Sequence, residues 1–393
     1  MAGLIAVIVS YAGPSLIIFQ AATAAHLGQA ELSSWIWAVS IGSGVSAIAL
    51  SWRYRAPVIT AWSTPGAALL VTALPNYSYQ EAIGAFVFAA GLITVLGASG
   101  LFETIMTRIP KSIAAAMLAG ILFRFGAQIF SSFTVAPLLV GTMFAAYLVL
   151  KRFLPRYAIA LVLVIGISVT AATGTLHFES FHLEPAVPVF TMPQFSIAAI
   201  VGLGLPLALV TLTGQFIPGV AVLRAFGYQA PASPLVWGTS LLAVLLAPFG
   251  AHGVNLAAIT AAICSGPEAH PRADKRWVAG VALGAIYIVI GVFGATLAAL
   301  FAALPKELVA AAAGLALVGA IMNGLAGAMS IEREREPALL TFLVAASGVS
   351  FLGIGSAFWG LTVGIVAAMA LLPRVGTADH APAASLATTS ARG

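Results

Sequence analysis

Charged residues are scarce in this chain. They make up 7% of its 393 residues, while hydrophobic residues make up 61%. An ordinary soluble domain carries about 25% charged residues, so the composition excludes a soluble protein and indicates an integral membrane protein with many spans. Cys264 is the only cysteine, which excludes an intrachain disulfide and a cysteine-based metal site.

Other absences narrow the functional class. The seventeen lysines and arginines outnumber the twelve acids, but none of them forms a cluster interleaved with aromatic residues. Because basic residues collect in the cytoplasmic loops of membrane proteins, the net charge of +5 predicts orientation rather than nucleic-acid binding. The apolar segments also lack paired acids, metal-ligand clusters and nucleophile constellations. We therefore expect neither an enzyme nor a bound cofactor.

Apolar segments of the length that crosses a bilayer, about 17 to 25 residues, follow one another with few gaps. We predict an all-α polytopic membrane protein with about fourteen transmembrane segments. The predicted spans are 4–27, 33–51, 57–74, 80–104, 112–131, 135–152, 157–173, 196–222, 235–248, 252–266, 276–303, 307–328, 338–353 and 356–372. Because more spans follow it, we interpret the first as a membrane helix rather than a cleaved signal.

The basic residues are distributed asymmetrically over this topology. Fifteen of the seventeen fall in segments predicted as cytoplasmic, while Lys306 falls outside and Arg124 within a span. This asymmetry predicts a multi-pass protein with both termini in the cytoplasm.

An internal repeat appears at an offset of 195 residues. It places Pro110-Lys111 on Pro305-Lys306 and Gln20 on Gln215. Seven spans per repeat is an odd number, so the second copy enters the membrane from the opposite side, as in many transporters. We predict a 7+7 inverted repeat with 1–193 as the first copy, 194–373 as the second and 374–393 as a short cytoplasmic tail.

The third span, around Arg55–Leu74, is unusual for a membrane helix. Pro57 and the β-branched residues after it favour extended chain, Ser63 or Thr64 can cap a helix, and Pro65 suits a first helical turn. A backbone that leaves the helix inside a membrane needs protein or a water-filled cavity beside it. The sequence therefore predicts a discontinuous span of the kind that marks transporter binding sites.

The repeat places a second such break in the tenth span, Gly250–Gly266. Pro248, Gly250 and Gly253 disfavour a helix, and we predict that Asn255 is the N-cap of a short helix that begins at Leu256. Two half-helices would then direct their N-termini at each other near the bilayer centre. Each N-terminus has unsatisfied N–H groups and a partial positive charge, so the pair predicts a site for a small anion.

Polar residues near these breaks are the candidate substrate ligands. They are Gln20, Thr60, Ser63, Thr64, Gln215, His252 and Asn255. Each has a structural alternative, because a buried glutamine can tie helices together and Ser63, Thr64 and Asn255 can act only as caps. Thr60 either faces the cavity or pairs with the neighbouring extended segment. His252 is either a neutral imidazole satisfied by backbone or a proton carrier.

Two charged residues and three aromatic residues complete the candidates. Arg124 pairs with carbonyl groups, lines the pathway or extends toward an interface, and Glu103 is either an interfacial charge or a proton relay. Phe19, Trp62 and Phe216 are candidate contacts for a substrate ring, although aromatic residues in spans usually serve for packing.

Three stretches carry a family resemblance: AWSTPGAALL at 61–70, SYAGPSLIIFQAA at 10–22 and RIPKSIAAAMLAGILFRFG from Arg108. Over nearly its whole length the chain resembles the benzoate/proton symporter family, which is similar in fold to the uracil/xanthine and sulfate permeases. The resemblance implies a core domain of spans 1–4 and 8–11 and a gate domain of spans 5–7 and 12–14. It further implies uptake of benzoate or a related aromatic carboxylate with a proton, across a bacterial inner membrane. Relatives of this fold are often dimers, so a homodimer is one expectation, with membrane lipid as the surroundings.

Two departures from these relatives refine the expectation. The eighth span lacks the carboxylate that nucleobase permeases place there, and Gln215 is its nearest polar residue, which suits an anionic substrate. Only about twenty residues follow the last span, so we expect no regulatory domain of the sulfate-permease type. The working hypothesis is secondary active transport by alternating access. The alternatives are an uncoupled anion channel or facilitator, and a permease of the same fold for another small substrate such as a nucleobase.

Overall fold

The backbone leaves helical geometry in the third and tenth predicted spans, and these two breaks meet. The structure is a computed structural model that describes residues 2–371 apart from 103, 105–109, 156, 176–182, 258, 268, 350 and 352–355. Helices dominate this part of the chain, and a two-stranded sheet joins the two breaks.

The elements of the first half are α1 (Ala2–Ala12), α2 (Pro14–Ala24), α3 (Gln29–Tyr54), β1 (Thr60–Ala61), α4 (Thr64–Ala73), α5 (Tyr79–Ala98), α6 (Lys111–Val135), α7 (Pro137–Phe153) and α8 (Ala158–Ala172). The elements of the second half are α9 (Ile197–Ala225), α10 (Ala232–Leu246), β2 (Asn255–Leu256), α11 (Ile259–Ser265), α12 (Trp277–Val292), α13 (Gly294–Ala302), α14 (Lys306–Ala328), α15 (Arg335–Ser347) and α16 (Ser356–Leu371).

Length and apolar composition confirm a mostly helical membrane protein. Among the described residues, eight helices are long and apolar enough to cross a membrane, and α8 and α16 are shorter apolar helices. Each of the predicted spans overlaps a helix of the structure. The exact number of crossings stays a prediction.

Three prolines alter the helix geometry of two spans that were predicted as uninterrupted helices. The first span is interrupted at Gly13, and α2 begins at Pro14. Proline has no N–H to donate, and its ring clashes with the carbonyl four residues earlier, so it interrupts a helix interior. In α9, π-helical turns at Ile200–Gly204 and Leu212–Phe216 stand just before Pro206 and Pro218. These wider turns relieve the same clash, and single π turns occur often at functional sites.

Small residues let the long helices approach closely. At Gly44 of α3, a Cβ atom would stand 2.6 Å from the Gly284 carbonyl oxygen of α12, so the two backbones touch at this glycine pair. Such contacts are typical of helix packing in membranes, where van der Waals contact replaces much of the hydrophobic driving force.

Candidate functional site

The two breaks form a short antiparallel sheet. Thr60 of β1 lies opposite Leu256 of β2, and Ala61 lies opposite Asn255. The Ala257 N–H extends the pairing by donating to the Ile59 carbonyl at 2.9 Å. Extended backbone at membrane depth must find hydrogen-bond partners inside the protein, and each break supplies them to the other. Because the strands are antiparallel, α4 and α11 leave the sheet in opposite directions.

The start of α4 confirms the local prediction for the third span. Ser63 is the N-cap, and its Oγ accepts from the Gly66 N–H at 3.0 Å. Thr64 is the first helical residue and Pro65 the second. Proline is tolerated in this first turn because its missing N–H would have no intrahelical acceptor there.

The prediction for Asn255 is wrong in its local detail. Asn255 lies in β2 instead of capping a helix, and α11 begins only at Ile259 and has seven residues. With its carboxamide oriented to satisfy both groups, Asn255 donates to the Ala61 carbonyl at 3.3 Å and accepts from the Ser63 N–H at 3.1 Å. Its buried side chain therefore fastens the start of α4 to β2.

His252 is held from two sides. The Trp35 indole N–H of α3 donates to His252 Nδ1 at 2.9 Å, and His252 Nε2 lies 3.1 Å from the Ser63 carbonyl oxygen. Since Nδ1 accepts and a carbonyl oxygen only accepts, the proton is on Nε2 and the imidazole is neutral. Both ring nitrogens are thus in use.

Ser63 is the junction of this network, and one of its partners was missed in the sequence analysis. Thr211 of α9 donates through Oγ1 to Ser63 Oγ at 3.0 Å. Thr211 is four residues, about one helical turn, before Gln215, so the two side chains share a helix face. That spacing could have indicated that Thr211 lies near the site. Trp35, the second missed residue, carried no local signal, because its partner His252 lies 217 residues away.

Thr60 faces α3. Its Oγ1 donates to the Ser43 carbonyl at 2.6 Å and accepts from Ser46 Oγ at 2.9 Å, and its side chain is fully buried. The structure therefore shows the pairing alternative for Thr60, since β1 is fixed against both β2 and α3.

The two glutamines occupy different surroundings. Gln215 is half-buried in the π-helical turn at Leu212–Phe216. Its neighbour Gly214 lies against Pro65, where a Cβ atom would stand 3.1 Å from Pro65 Cγ, so this turn adjoins the start of α4. Gln20 lies in α2, beyond the interruption at Gly13. Its Oε1 is buried and has no hydrogen-bond partner among the described residues.

The candidate ring contacts are packed to different degrees. Trp62 is buried against Tyr11, at 5.0 Å between ring centroids, and against Tyr287, at 5.8 Å. Its indole N–H has no acceptor in the described part of the chain. Phe216 is fully buried and lines a narrow cleft with Thr211 and His252, while Phe19 packs on Phe301.

The two charged candidates do not join this site. Arg124 of α6 is exposed and lines a separate, narrow crevice beside the C-terminal half of α4. Glu103 lies outside the described residues.

Two solved structures have a fold similar to that of this chain. The structure aligns with the transmembrane domain of a cyanobacterial bicarbonate transporter, BicA, at a TM-score of 0.61 and 14% identity, over 93% of this chain and 96% of that one. It aligns with SLC26A9 at a TM-score of 0.57 and 12% identity, over 94% of this chain and 65% of the other. At these identities the likeness shows the fold alone.

Sequence comparisons reach further. A benzoate membrane transport protein of Acinetobacter baylyi is 46% identical over 372 residues, which cover 95% of this chain and 94% of the relative. The inner membrane protein YdcO of Escherichia coli K12 is 46% identical over 364 residues, which cover 93% of each. The family model described as "Benzoate membrane transport protein" matches residues 1–370. The chain thus belongs to the benzoate membrane transport protein family.

Proposed function

We propose that this protein imports benzoate or a related aromatic carboxylate together with a proton, by alternating access. Its family is one of transport proteins rather than enzymes, and a curated relative is named for benzoate. The structural observation that carries the proposal is the start of α4, a helix N-terminus fixed against a strand pair in the middle of the protein.

The charge around this helix start suits an anion. The sequence has no Asp or Glu from residue 32 to 80 or from 185 to 267, the two stretches that build the site. An acidic side chain there would repel a carboxylate, whereas a helix N-terminus attracts one through its free N–H groups and its dipole. The buried Trp62 indole N–H is a further donor without an acceptor among the described residues, and a bound carboxylate would supply one.

The hydrogen bonds separate contact residues from positioning residues. The N–H, carbonyl and hydroxyl of Ser63 are all engaged, by Asn255, His252, Thr211 and the first turn of α4. We therefore assign substrate contact to Thr64 and Gln215, which are only half-buried and belong to elements that meet at Pro65. Ser63 and Asn255 fix the direction in which α4 starts.

His252 also acts as a positioning residue in this proposal. A second proton on the ring would place an N–H at Nδ1, directly against the Trp35 N–H that donates to it. Proton carriage by His252 would need that buried hydrogen bond to break. The proton that accompanies the monoanion makes the cycle electroneutral, and we place its path elsewhere than His252.

The proposal includes the finer topology: fourteen spans, a 7+7 inverted repeat, and both termini in the cytoplasm of a bacterium. The antiparallel strand pair, with one helix leaving on each side, supports the inverted relation of the repeats. Within the proposed core domain, α3 packs along α12 and α5 packs along α10. Within the proposed gate domain, α6 packs along α14 and α15 packs along α16. Pairing within each group supports two bodies that move relative to each other.

Proteoliposomes with the purified protein test this function. We expect an inward proton gradient to drive accumulation of radiolabelled benzoate, and a protonophore to abolish it. The double variant Ser63→Ala/Thr64→Ala is the impaired control. Downhill benzoate flux without accumulation would instead indicate an uncoupled facilitator, and transport of nucleobases but not benzoate would reassign the substrate.

A further inference from the structure

An arginine lies between two tryptophans where α3 ends and α12 begins. Arg55, the C-cap of α3, has its Cζ 5.1 Å from the centroid of the Trp52 ring and 4.4 Å from that of Trp277. The two indoles meet edge to face, with centroids 5.5 Å apart. Attraction between a guanidinium and aromatic rings restricts the arginine to this position.

The backbone around Arg55 is fixed as well. Its φ of 49° is left-handed, a conformation that residues other than glycine adopt at a cost. Ser51 Oγ donates to the Val58 carbonyl at 3.1 Å and so fastens the chain beyond Arg55 to the last turn of α3. A strained residue that its surroundings hold in place is often part of a functional site.

These three residues lie at the boundary between membrane and water. Both α3 and the segment Ala273–Val292, which contains α12, are long and apolar enough to cross a membrane. Trp52 is in the last turn of α3, Trp277 is the first residue of α12, and the Trp52 side chain is 58% exposed. Tryptophan at such a position lies at the level of the lipid headgroups. This is the end of both helices that is predicted to face the cytoplasm.

The segments 50–57 and 272–277 together carry five cations and one acid. Two of the cations are engaged within the protein. Arg272 pairs with the acid, Asp274, at 2.7 Å, and the Arg276 guanidinium donates to the carbonyls of Ser265, His270 and Pro271. Neither of these arginines is therefore a strong candidate for an external ligand.

The other three cations are free. The side chains of Arg53, Arg55 and Lys275 are exposed and have no hydrogen-bond or ion-pair partner among the described residues. Contact with aromatic rings leaves the hydrogen-bonding capacity of a guanidinium available. Arg55 therefore offers N–H donors from a fixed position, and the other two add positive charge to the same end of the helix pair.

We infer that Arg55, Trp52 and Trp277 form a binding site for the phosphate of an anionic phospholipid in the cytoplasmic leaflet. Arginine binds phosphate through parallel N–H···O bonds, and the exposed indole of Trp52 can contact the glycerol and upper acyl chain of the same lipid. A zwitterionic headgroup suits the site less well, because its ammonium would meet Arg53 and Lys275. This site is separate from the start of α4 and goes beyond the proposed transport function.

Lipid binding to the purified full chain in a neutral detergent tests the inference. Dioleoyl-phosphatidylglycerol and dioleoyl-phosphatidylcholine have the same acyl chains but differ in net charge, and native mass spectrometry counts the lipid that each chain retains. We expect one tightly bound phosphatidylglycerol per chain, and an affinity lower by about tenfold or more in Arg55→Gln, because charge-assisted bonds to the phosphate are lost. Phosphatidylcholine should bind weakly to both proteins.

Arg152→Gln is the matched control. Arg152 of α7 is also exposed, lies 5.8 Å over a single ring, that of Phe153, and has no hydrogen-bond or ion-pair partner in the described part of the chain. Its loss should leave the affinity for phosphatidylglycerol unchanged. An equal loss of affinity in Arg152→Gln and Arg55→Gln would indicate diffuse attraction of charge and overturn the inference.

Other outcomes would also refute the site. Equal phosphatidylglycerol affinity in Arg55→Gln and the wild type would do so, and displacement of the lipid by excess inorganic phosphate would reassign the site to a free anion. If Arg55→Gln does not fold, Arg55→Gly decides, because glycine adopts a φ of 49° without strain and should keep the fold while the lipid is lost. Phosphatidylglycerol retained by folded Arg55→Gly with wild-type affinity would contradict the inference.

Discussion

Replacing Asn255 by alanine should loosen the start of α4 from β2. The Asn255 side chain is fully buried, and its carboxamide satisfies the Ala61 carbonyl at 3.3 Å and the Ser63 N–H at 3.1 Å. Asn255→Ala would leave the Ser63 N–H buried without its acceptor, whereas the Ala61 carbonyl would keep its backbone pairing with residue 255 in the sheet. One buried group without a partner costs about 1–3 kcal/mol, so the free energy of unfolding should fall by about that much. If part of this cost is relieved by movement of α4, benzoate affinity should fall, about tenfold for each 1.4 kcal/mol lost from binding.

Chemical or thermal unfolding of the purified variant, together with benzoate binding, measures both effects. Asn76→Ala is the matched stability control, because the Asn76 amide also donates twice to backbone carbonyls, at 3.1 and 3.2 Å, but is exposed. Water can replace those bonds, so we expect a loss of less than about 1 kcal/mol there. Asn255→Asp keeps an acceptor for Ser63 but adds negative charge, and should weaken benzoate binding even where the fold survives. Stability and benzoate affinity of Asn255→Ala both equal to the wild type would refute the reasoning.

Further variants test single residues of the site. Thr211→Val removes the donor to Ser63 and should lower the free energy of unfolding by about 1 kcal/mol, whereas Thr211→Ser should stay near the wild type. Trp35→Phe removes the hydrogen-bond donor to Nδ1 of His252. We expect weaker benzoate binding with an unchanged proton-to-benzoate transport ratio. A changed ratio would argue that His252 carries the proton. Ser63→Ala removes a helix cap and should lower the free energy of unfolding by about 1 kcal/mol. Thr64→Ala should raise KM for benzoate with little effect on stability. The reverse pattern would make Ser63 the substrate contact and Thr64 the positioning residue.

Local chemistry explains what could be predicted from the sequence. The scarcity of charge and the length of the apolar segments determine a helical membrane protein, because a lipid interior tolerates little else. The break in the third span follows from neighbouring residues, since Ser63 caps a helix whose first turn accepts Pro65. A cap and its helix are within a few residues of each other, so sequence alone can indicate both.

The site itself was decided by residues far apart in the chain. Asn255 has the right chemistry for an N-cap, but a partner strand was available to the stretch around it, and pairing in β2 satisfies buried backbone groups of both breaks. The Trp35 N–H, 217 residues away in the chain, fixes the tautomer of His252. The Thr211 hydroxyl, 148 residues away, is the second donor to Ser63 Oγ. Neighbouring residues were enough to predict that the chain breaks inside the membrane. Which side chains satisfy the broken backbone depends on packing between distant helices, so it became visible only in the folded protein.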